Sequence, residues 1–460
     1  MIKELKITNF KCFKNPGSIK FKNFNVICGP NSSGKSSINQ SLLLLLQNNH
    51  KAKQRFTSSG KFVHFDEYNE LRNFEKSQSD SVEIIAKNEE DKTCSIKLGN
   101  SSQSGNIECL DIKSEYNLIE EEDLYFISAN RIGPEDVYNK YNENLINQFG
   151  ENAIGFLAKN KDMIIDEKFI FQKDPEIKYS LGNEVDYWLN KIIGEKINTT
   201  EIIRTNKSIA TYSRKMPVLD TLGLETPDLQ VRNMNTGSGL SYIITILVMV
   251  LSLTIKETTK RPLFIIENPE IHLHPMAQIN LMKFLLHMSQ FGQFIIETHS
   301  DHIIKNILDS GEDVQIIKLK DDPDKIEYYY FGTRHILPTL TLSEIQWSAF
   351  DLPTIDFHVH LFSFLQERFA PRQGDVLSVN ETDDKIRLTQ EFINNEIKYE
   401  TNSPRYNSAN GTETLPTYMR NLIDHPESSR NLYRNDDEFD EKLRESIDFM
   451  IKIIKEKGWR

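Results

Sequence analysis

The 460-residue sequence predicts an α/β fold: a doubly wound, mainly parallel sheet with an antiparallel β-subdomain, followed by an all-helical domain. Three observations predict it. A glycine-rich turn, Gly29-Pro-Asn-Ser-Ser-Gly-Lys-Ser36, stands between an apolar strand-like run and an apolar helix-like run. Between Tyr242 and Lys318, strand and helix patterns alternate, as in a parallel sheet with helical crossovers. From about Leu340 the strand signals fade and helical periodicity dominates.

Taken in order, residues 1–28 read as β-structure, with LKITNFKCF and IKFKNFNVIC rich in Phe, Val and Ile. The glycine-rich turn follows, then a helix with the apolar stretch Ile38 to Leu46. The short runs VEIIAK, CSIKL and IECLDIK, separated by polar turns between 82 and 115, predict an antiparallel subsheet. Residues 135–215 are mixed, rich in Asn and Lys and weakly helical; without sustained heptads they predict no long coiled-coil arm. Order then returns as helix Tyr242–Leu253, strand Leu263–Ile266, helix Gln278–Met288, strand Phe294–Ile296 and strand Val314–Lys318. The polar stretch Tyr399–Thr414 reads as a loop among the later helices, and no internal repeat is visible.

Composition narrows the class. With 38% hydrophobic and 27% charged residues the chain is of globular type, long enough for about two to three domains. The opening MIKELKITNF lacks the apolar core of an export signal. The apolar run Ser241–Leu253 carries Ser and Thr and is too short to span a bilayer, so no membrane partner is expected. Cys12, Cys28, Cys94 and Cys109 show no metal-ligand spacing; they suit a reducing compartment, and a cytoplasmic location is expected. A net charge of −12 argues against holding nucleic acid through the overall field, leaving local basic patches open.

The chemistry lies in four short stretches. In a phosphate-binding turn, Gly29 and Gly34 permit the tight loop, and backbone N–H groups around Asn31, Ser32 and Ser37 wrap the phosphates. Lys35 reaches the outer phosphates and Ser36 offers its hydroxyl to Mg²⁺. The run Leu263-Phe-Ile-Ile-Glu-Asn-Pro-Glu270 is a buried strand ending in carboxylates, where an acid would hold Mg²⁺ and its waters. His272 and His274 follow at a spacing that makes a poor metal pair. Phe294-Ile-Ile-Glu-Thr-His-Ser300 sets His299 at a strand end, where it reads either as structural or as a contact to a γ-phosphate.

Together, GPNSSGKSS, TGSGLS, IIENPEIHLHP and IIETHSD resemble the ABC-type P-loop ATPases of the OLD, RecF and SMC-related group, over about residues 1–335. The resemblance implies two ATPase heads sandwiching ATP and Mg²⁺, as a dimer or higher oligomer. A glycine-serine signature on one head then caps the nucleotide of the other; the matching residues are Gly237, Ser238, Gly239 and Ser241, at a helix N-terminus suited to an anion. A plain helix-capping turn is the alternative. Glu267 becomes the Mg²⁺-side acid and His299 the H-loop residue. Many relatives carry a second acid as water-activating base where this chain has Asn268, so either Glu270 serves as base or hydrolysis is slow. Gln47 and Arg131 are further candidates to approach nucleotide.

In the C-terminal region, Arg420, Asn421 and His425 within YMRNLIDHPE resemble the signature of HEPN-type ribonucleases. His suits proton transfer at a 2′-hydroxyl or leaving oxygen, and Arg suits phosphorane charge. A packing or dimerisation module is the alternative. The resemblance implies RNA, such as tRNA, as substrate, antiphage defence as role, and a phage-derived trigger or separate effector as partner. Expected boundaries are 1–340 for the ATPase head, in lobes 1–235 and 236–340, and 341–460 for the helical domain. His358 and His360 are expected to be structural, in a helix-rich connection whose aromatics pack the helical module against the head. The rival overall reading is a sensor or scaffold ATPase whose C-terminal helices recruit a separate nuclease.

Overall fold

The structure is a computed structural model and describes residues 1–48, 56–101, 105–115, 123–135, 138–139, 146, 148–171, 179–202, 207–214, 229–232, 237–255, 261–320, 322–330, 335–402, 412–424 and 436–459. Two compact units divide the chain, Met1–Phe331 and Gly332–Arg460, a boundary somewhat earlier than the sequence suggested.

The first unit holds two main sheets. Strands β1 (Ile2–Thr8), β2 (Ser18–Lys20), β4 (Val82–Asn88), β5 (Thr93–Asn100) and β6 (Ile107–Ser114) form an antiparallel sheet in the order β2-β1-β4-β5-β6. In β4 buried and partly exposed residues alternate, because only one sheet face meets the core. The second sheet takes β3 (Phe24–Cys28), β7 (Leu124–Ile127), β12 (Leu263–Glu267), β13 (Gln293–Glu297), β14 (Val314–Leu319) and β15 (Ile326–Tyr330). Its order is β15-β14-β3-β13-β12-β7, parallel throughout except for β15. Every residue of β3, β13 and β14 is buried, as strands covered on both faces must be. Gln293 joins the two sheets, its amide accepting from Ile2 N at 2.9 Å and donating to Ile2 O at 2.7 Å. Strands β8 (Tyr138–Asn139), β9 (Lys196–Ile202), β10 (Lys207–Arg214) and β11 (Leu229–Arg232) make a third, antiparallel sheet centred on β10.

Helices α1 (Lys35–Gln47), α2 (Ala153–Asn160), α3 (Leu181–Ile193), α4 (Ser238–Leu251), α5 (Pro275–Met288) and α6 (Asp301–Asp309) complete the first unit. The region read as weakly helical thus contains α3, a full helix. Ser180 caps it by accepting from Asn183 N, and Gly194 ends it in a left-handed conformation. Helix α4 with the 3₁₀ turn after it, Ser238–Ile255, is apolar and long enough to pass as a membrane span, longer than the run judged from sequence. It is 78% buried inside the protein, which makes it a core helix here.

The second unit contains α7 (Leu342–Phe350), α8 (Ile355–Phe369), α9 (Val379–Arg387), α10 (Gln390–Asn394), α11 (Glu396–Tyr399), α12 (Leu415–Asp424) and α13 (Asp436–Glu456). A two-stranded hairpin, β16 (Glu400–Asn402) with β17 (Thr412–Thr414), stands where a loop was expected. Aromatics expected to pack this module against the head instead build its own core: Phe357, Phe362 and Phe364 join Tyr418, Phe449 and Ile453. His358 is fully buried with Nε2 at 2.9 Å from Ser446 Oγ, and burial pushes its pKa down to about 3, so the ring is neutral and structural. His360 Nδ1 lies 3.1 Å from Ser343 Oγ.

Candidate nucleotide site

The glycine-rich turn leaves the C-terminal end of β3, and α1 begins at its last lysine. Gly34 has φ 103°, and a Cβ there would stand 2.5 Å from Cys12 Sγ and 2.8 Å from Phe13 Cζ. Only glycine supplies both the left-handed conformation and the room. The turn borders a cavity of about 670 Å³ lined by Asn31, Ser32, Gly34, Lys35, Ser36, Ser37, Glu297 and His299. Lys11, Cys12, Glu70, Arg72 and Phe74 also line it.

Lys35 is buried, and its Nζ donates to the carbonyls of Gly29 at 3.0 Å and Pro30 at 2.7 Å. Burial holds its pKa below the ordinary lysine value, opposed by the charge of Glu297. A buried ammonium resting on two carbonyls of its own loop is a cation lacking a full counter-charge, which a polyphosphate supplies. Ser33 Oγ and Asn39 Oδ1, both buried, have no protein partner. The cradle, the cation and the orphaned polar atoms fit a nucleotide phosphate chain.

Three carboxylates gather at the ends of β12 and β13. Those strands run parallel in register, so Glu267 and Glu297 are Cα partners. The sequence paired Ser36 with Glu267 as the metal-side residues, but the structure brings Glu297 to Ser36: Ser36 Oγ donates to Glu297 Oε1 at 2.8 Å. The reason is strand order. Strand β13 lies next to β3, and β12 is one strand further out. The Glu267 carboxylate accepts from Ala129 N at 3.2 Å on the other side. Glu297 carries the strongest perturbation: burial pushes its pKa to about 7, and the charges of Glu267 and Glu270 act in the same direction. Burial also raises Glu267 and Glu270 above the usual carboxylate range.

Glu270 and His299 meet directly, since His299 N donates to Glu270 Oε1 at 2.7 Å. Glu270 Oε2 is buried without a protein partner. Burial, then the charge of Lys35, holds the His299 ring below its ordinary pKa, which keeps it neutral near pH 7. Asn268, the departure noted in the sequence, has φ 43°, a left-handed conformation that Asn tolerates better than most residues. Arg131 clamps this turn, donating to Glu267 O at 2.9 Å and Asn268 O at 2.7 Å, with its guanidinium 5.2 Å from the Tyr242 ring. Burial pushes its pKa down to about 10. Arg131 therefore holds backbone and does not line the cavity. Gln47 is likewise drawn away, donating to Thr57 O at 3.2 Å and accepting from Val63 N at 3.3 Å.

Gly237, exposed, and Ser238, Gly239 and Ser241 lie at the start of α4 and do not line the cavity of their own chain. A Cβ on Gly239 would stand 2.5 Å from the carbonyl oxygen of His272, so the start of α4 packs directly on the turn after Glu270. His274 is the cap of α5, its Nδ1 accepting from Met276 N at 3.3 Å. Among the described residues no group of three or more His, Cys, Asp or Glu forms a metal cage.

In the second unit, Arg420, midway along α12, pairs with Asp424 at its end. Asn421 is buried and donates to Glu413 Oε2 at 3.2 Å. His425, its proposed partner, lies outside the described residues.

A parallel sheet with the glycine-rich turn on a central strand, carboxylates on the next two strand ends and a histidine one strand over defines an ABC-type P-loop ATPase head. The chain belongs to the RecF/RecN/SMC N-terminal domain family, whose model matches residues 1–321. Among solved structures, an SMC head bound to the C-winged helix domain of ScpA is similar at 14% identity, covering 72% of this chain and 98% of that one, TM-score 0.42. The SMC head domain from Thermotoga maritima shows 11% identity over 72% and 99% of the two chains, TM-score 0.36. A Pyrococcus furiosus Smc head bound to the C-terminal domain of ScpA shows 12% identity over 72% and 96%, TM-score 0.42. No curated protein matches the chain.

Proposed function

We propose that the chain is a Mg²⁺-dependent ATPase whose heads pair around ATP and whose closure controls the helical unit as an effector. One observation carries the ATPase reading: Lys35, Ser36, Glu297, Glu270 and His299 converge at the C-terminal edge of one sheet. Lys35 and the turn amides bind the phosphate chain. Ser36 would help hold Mg²⁺, which when bound would supply positive charge to the phosphate chain. Glu270, a buried carboxylate with raised proton affinity and a free oxygen, takes the proton of the attacking water. His299, tied to Glu270 through its backbone, holds its neutral ring toward the outer phosphate. Glu267, at the neighbouring strand end, would add negative charge to the place where the metal is held. The signature residues Gly237, Ser238, Gly239 and Ser241 cap the nucleotide of a second copy, in keeping with their place outside their own chain's cavity.

The effector reading is a HEPN-like, metal-independent endoribonuclease using Arg420, Asn421 and His425 in antiphage defence. Its support is the mainly helical unit with Arg420 inside helix α12. The test is expression with RNA sequencing: wild type should cut RNA to 2′,3′-cyclic phosphate ends, and His425→Ala and Arg420→Ala should each stop cutting while ATPase activity persists. A second reading has its own observation. Arg420 is paired with Asp424, and Asn421 is turned inward to Glu413, an arrangement that suits a packing or recruiting surface. ScpA-bound SMC heads are solved examples of heads that carry a protein partner. Absence of RNA cleavage under every nucleotide condition favours that scaffold reading.

A further inference from the structure

Glu297 stands in the run Phe294–Ser300 with no role assigned from the sequence, yet its carboxylate accepts from Ser36, the last residue of the phosphate-binding turn. Both its oxygens are engaged by the first turns of α1: Ser36 Oγ donates to one at 2.8 Å and Asn39 Nδ2 to the other at 3.0 Å. The carboxylate is 3% exposed and shares its surroundings with Glu267 and Glu270. A third acid in such a place is costly without a cation nearby. A serine hydroxyl that ligates a cation must turn a lone pair toward it and give its proton to another acceptor. Second-row acceptors of this kind orient metal ligands. We propose that Glu297 is a positioning residue for the nucleotide's Mg²⁺: it accepts the Ser36 proton, is itself held by Asn39, and so turns the Ser36 oxygen to the metal. The inference rests on the ATPase reading above. Magnesium bound through phosphates takes few protein ligands, so the orientation of its serine carries weight.

The test uses the full chain and Mn²⁺ as probe, with bound metal counted by electron paramagnetic resonance in the presence of ATP. ATP affinity is also measured by calorimetry with chelator. Glu297→Ala should lower Mn²⁺ affinity about ten- to hundredfold, with metal-free ATP affinity measured beside it to separate loss of metal from loss of nucleotide. Glu297→Gln should retain Mn²⁺ affinity to within about threefold, because its amide oxygen accepts from Ser36 once the Asn39 amide turns over. In a Ser36→Ala background, Glu297→Ala should add nothing, since the effect acts through that hydroxyl. Unchanged Mn²⁺ affinity in folded Glu297→Ala overturns the proposal. So does a loss in Glu297→Gln equal to that in Glu297→Ala, which would assign the effect to charge alone. If Glu297→Ala does not fold, Asn39→Ala replaces it, with a loss of about threefold expected and no loss overturning the proposal. Wild-type protein that binds no ATP with or without metal overturns the ATPase reading and this one with it; the other outcomes bear on Glu297 alone.

Discussion

The head and the helical unit treat buried polar atoms in opposite ways. In the head, orphaned polar atoms are more numerous, some dispersed (Ser18, Asn23, Asn100, Arg131, Gln148) and four beside the phosphate turn: Ser33 Oγ and Asn39 Oδ1 after β3, Asn268 Oδ1 and Glu270 Oε2 after β12. In the helical unit a network closes on itself. Asp383 accepts from Thr414 N at 2.9 Å, from Thr414 Oγ1 at 2.6 Å and from Arg387 Nε at 2.9 Å, and Arg387 reaches Glu400 and the carbonyl of Thr412. The orphans there, His358 Nδ1 and Asn421 Oδ1, sit on two different helices. Each unpaired buried atom costs about 1–3 kcal/mol. Several at one sheet edge therefore mark a place completed by a ligand, whereas a closed network marks a scaffold.

Mutation can break that contrast or sharpen it. The largest effect belongs to Lys35→Ala, which should remove hydrolysis and lower ATP affinity at least about hundredfold in a folded protein, since it deletes the buried cation facing the phosphates. Calorimetry showing wild-type affinity would remove the head from the class of P-loop ATPases. Next, Glu270→Gln should bind ATP normally and hydrolyse it about a hundredfold more slowly, the usual range for loss of a general base. A wild-type turnover rate would transfer the role elsewhere or leave hydrolysis without a base.

Smaller effects are expected away from the strand ends. Burial holds the Glu184 carboxyl at about 7 despite hydrogen bonds from Trp188 Nε1 and Phe171 N. The folded state thus binds that proton more tightly than the unfolded chain, whose value is 4.5. Its contribution is complete below pH 4.5 and is lost as pH rises through 7. Glu184→Gln should therefore match wild type at pH 4 and exceed it by up to about 3 kcal/mol at pH 9, read from denaturant unfolding at both. Smallest is Ser446→Ala in the helical unit, which leaves the buried His358 Nε2 unpaired. It should cost about 1–2 kcal/mol with ATP affinity unchanged. A change in ATP binding would show that the buried His358–Ser446 pair is coupled to the nucleotide.

What the sequence could reveal followed from how local each feature is. The phosphate turn is contiguous, so Gly29 to Ser36 declared itself, and the buried runs of β12, β13 and β14 were legible as apolar strands. Glu297 was not, although it stands two residues before His299. Its role depends on β13 lying between β3 and β12, an order that chain position does not disclose. Asn268 was visible as an anomaly, but its left-handed backbone was not. Helix α3 was missed despite two local signals, Ser180 at its start and Gly194 at its end, because its core face is spread thinly among polar residues. The aromatics of α8 were assigned to the wrong partner, since periodicity shows which face is apolar and not what it meets.

The strand order also governs when the molecule can first assemble. Among the described residues strand β3 pairs with β13 and β14 alone, and Asn25 Nδ2 donates to Phe294 O across 269 positions of chain. At ribosomal speeds of about 5–20 residues per second, roughly 15–50 seconds separate synthesis of the phosphate turn from that of its first sheet neighbour. Through that interval FNVIC is an unpaired, mostly apolar strand with both edges open, the kind of segment that seeks other chains. The nucleotide-binding turn is therefore made early and shaped late, once the C-terminal lobe supplies β13 and β14.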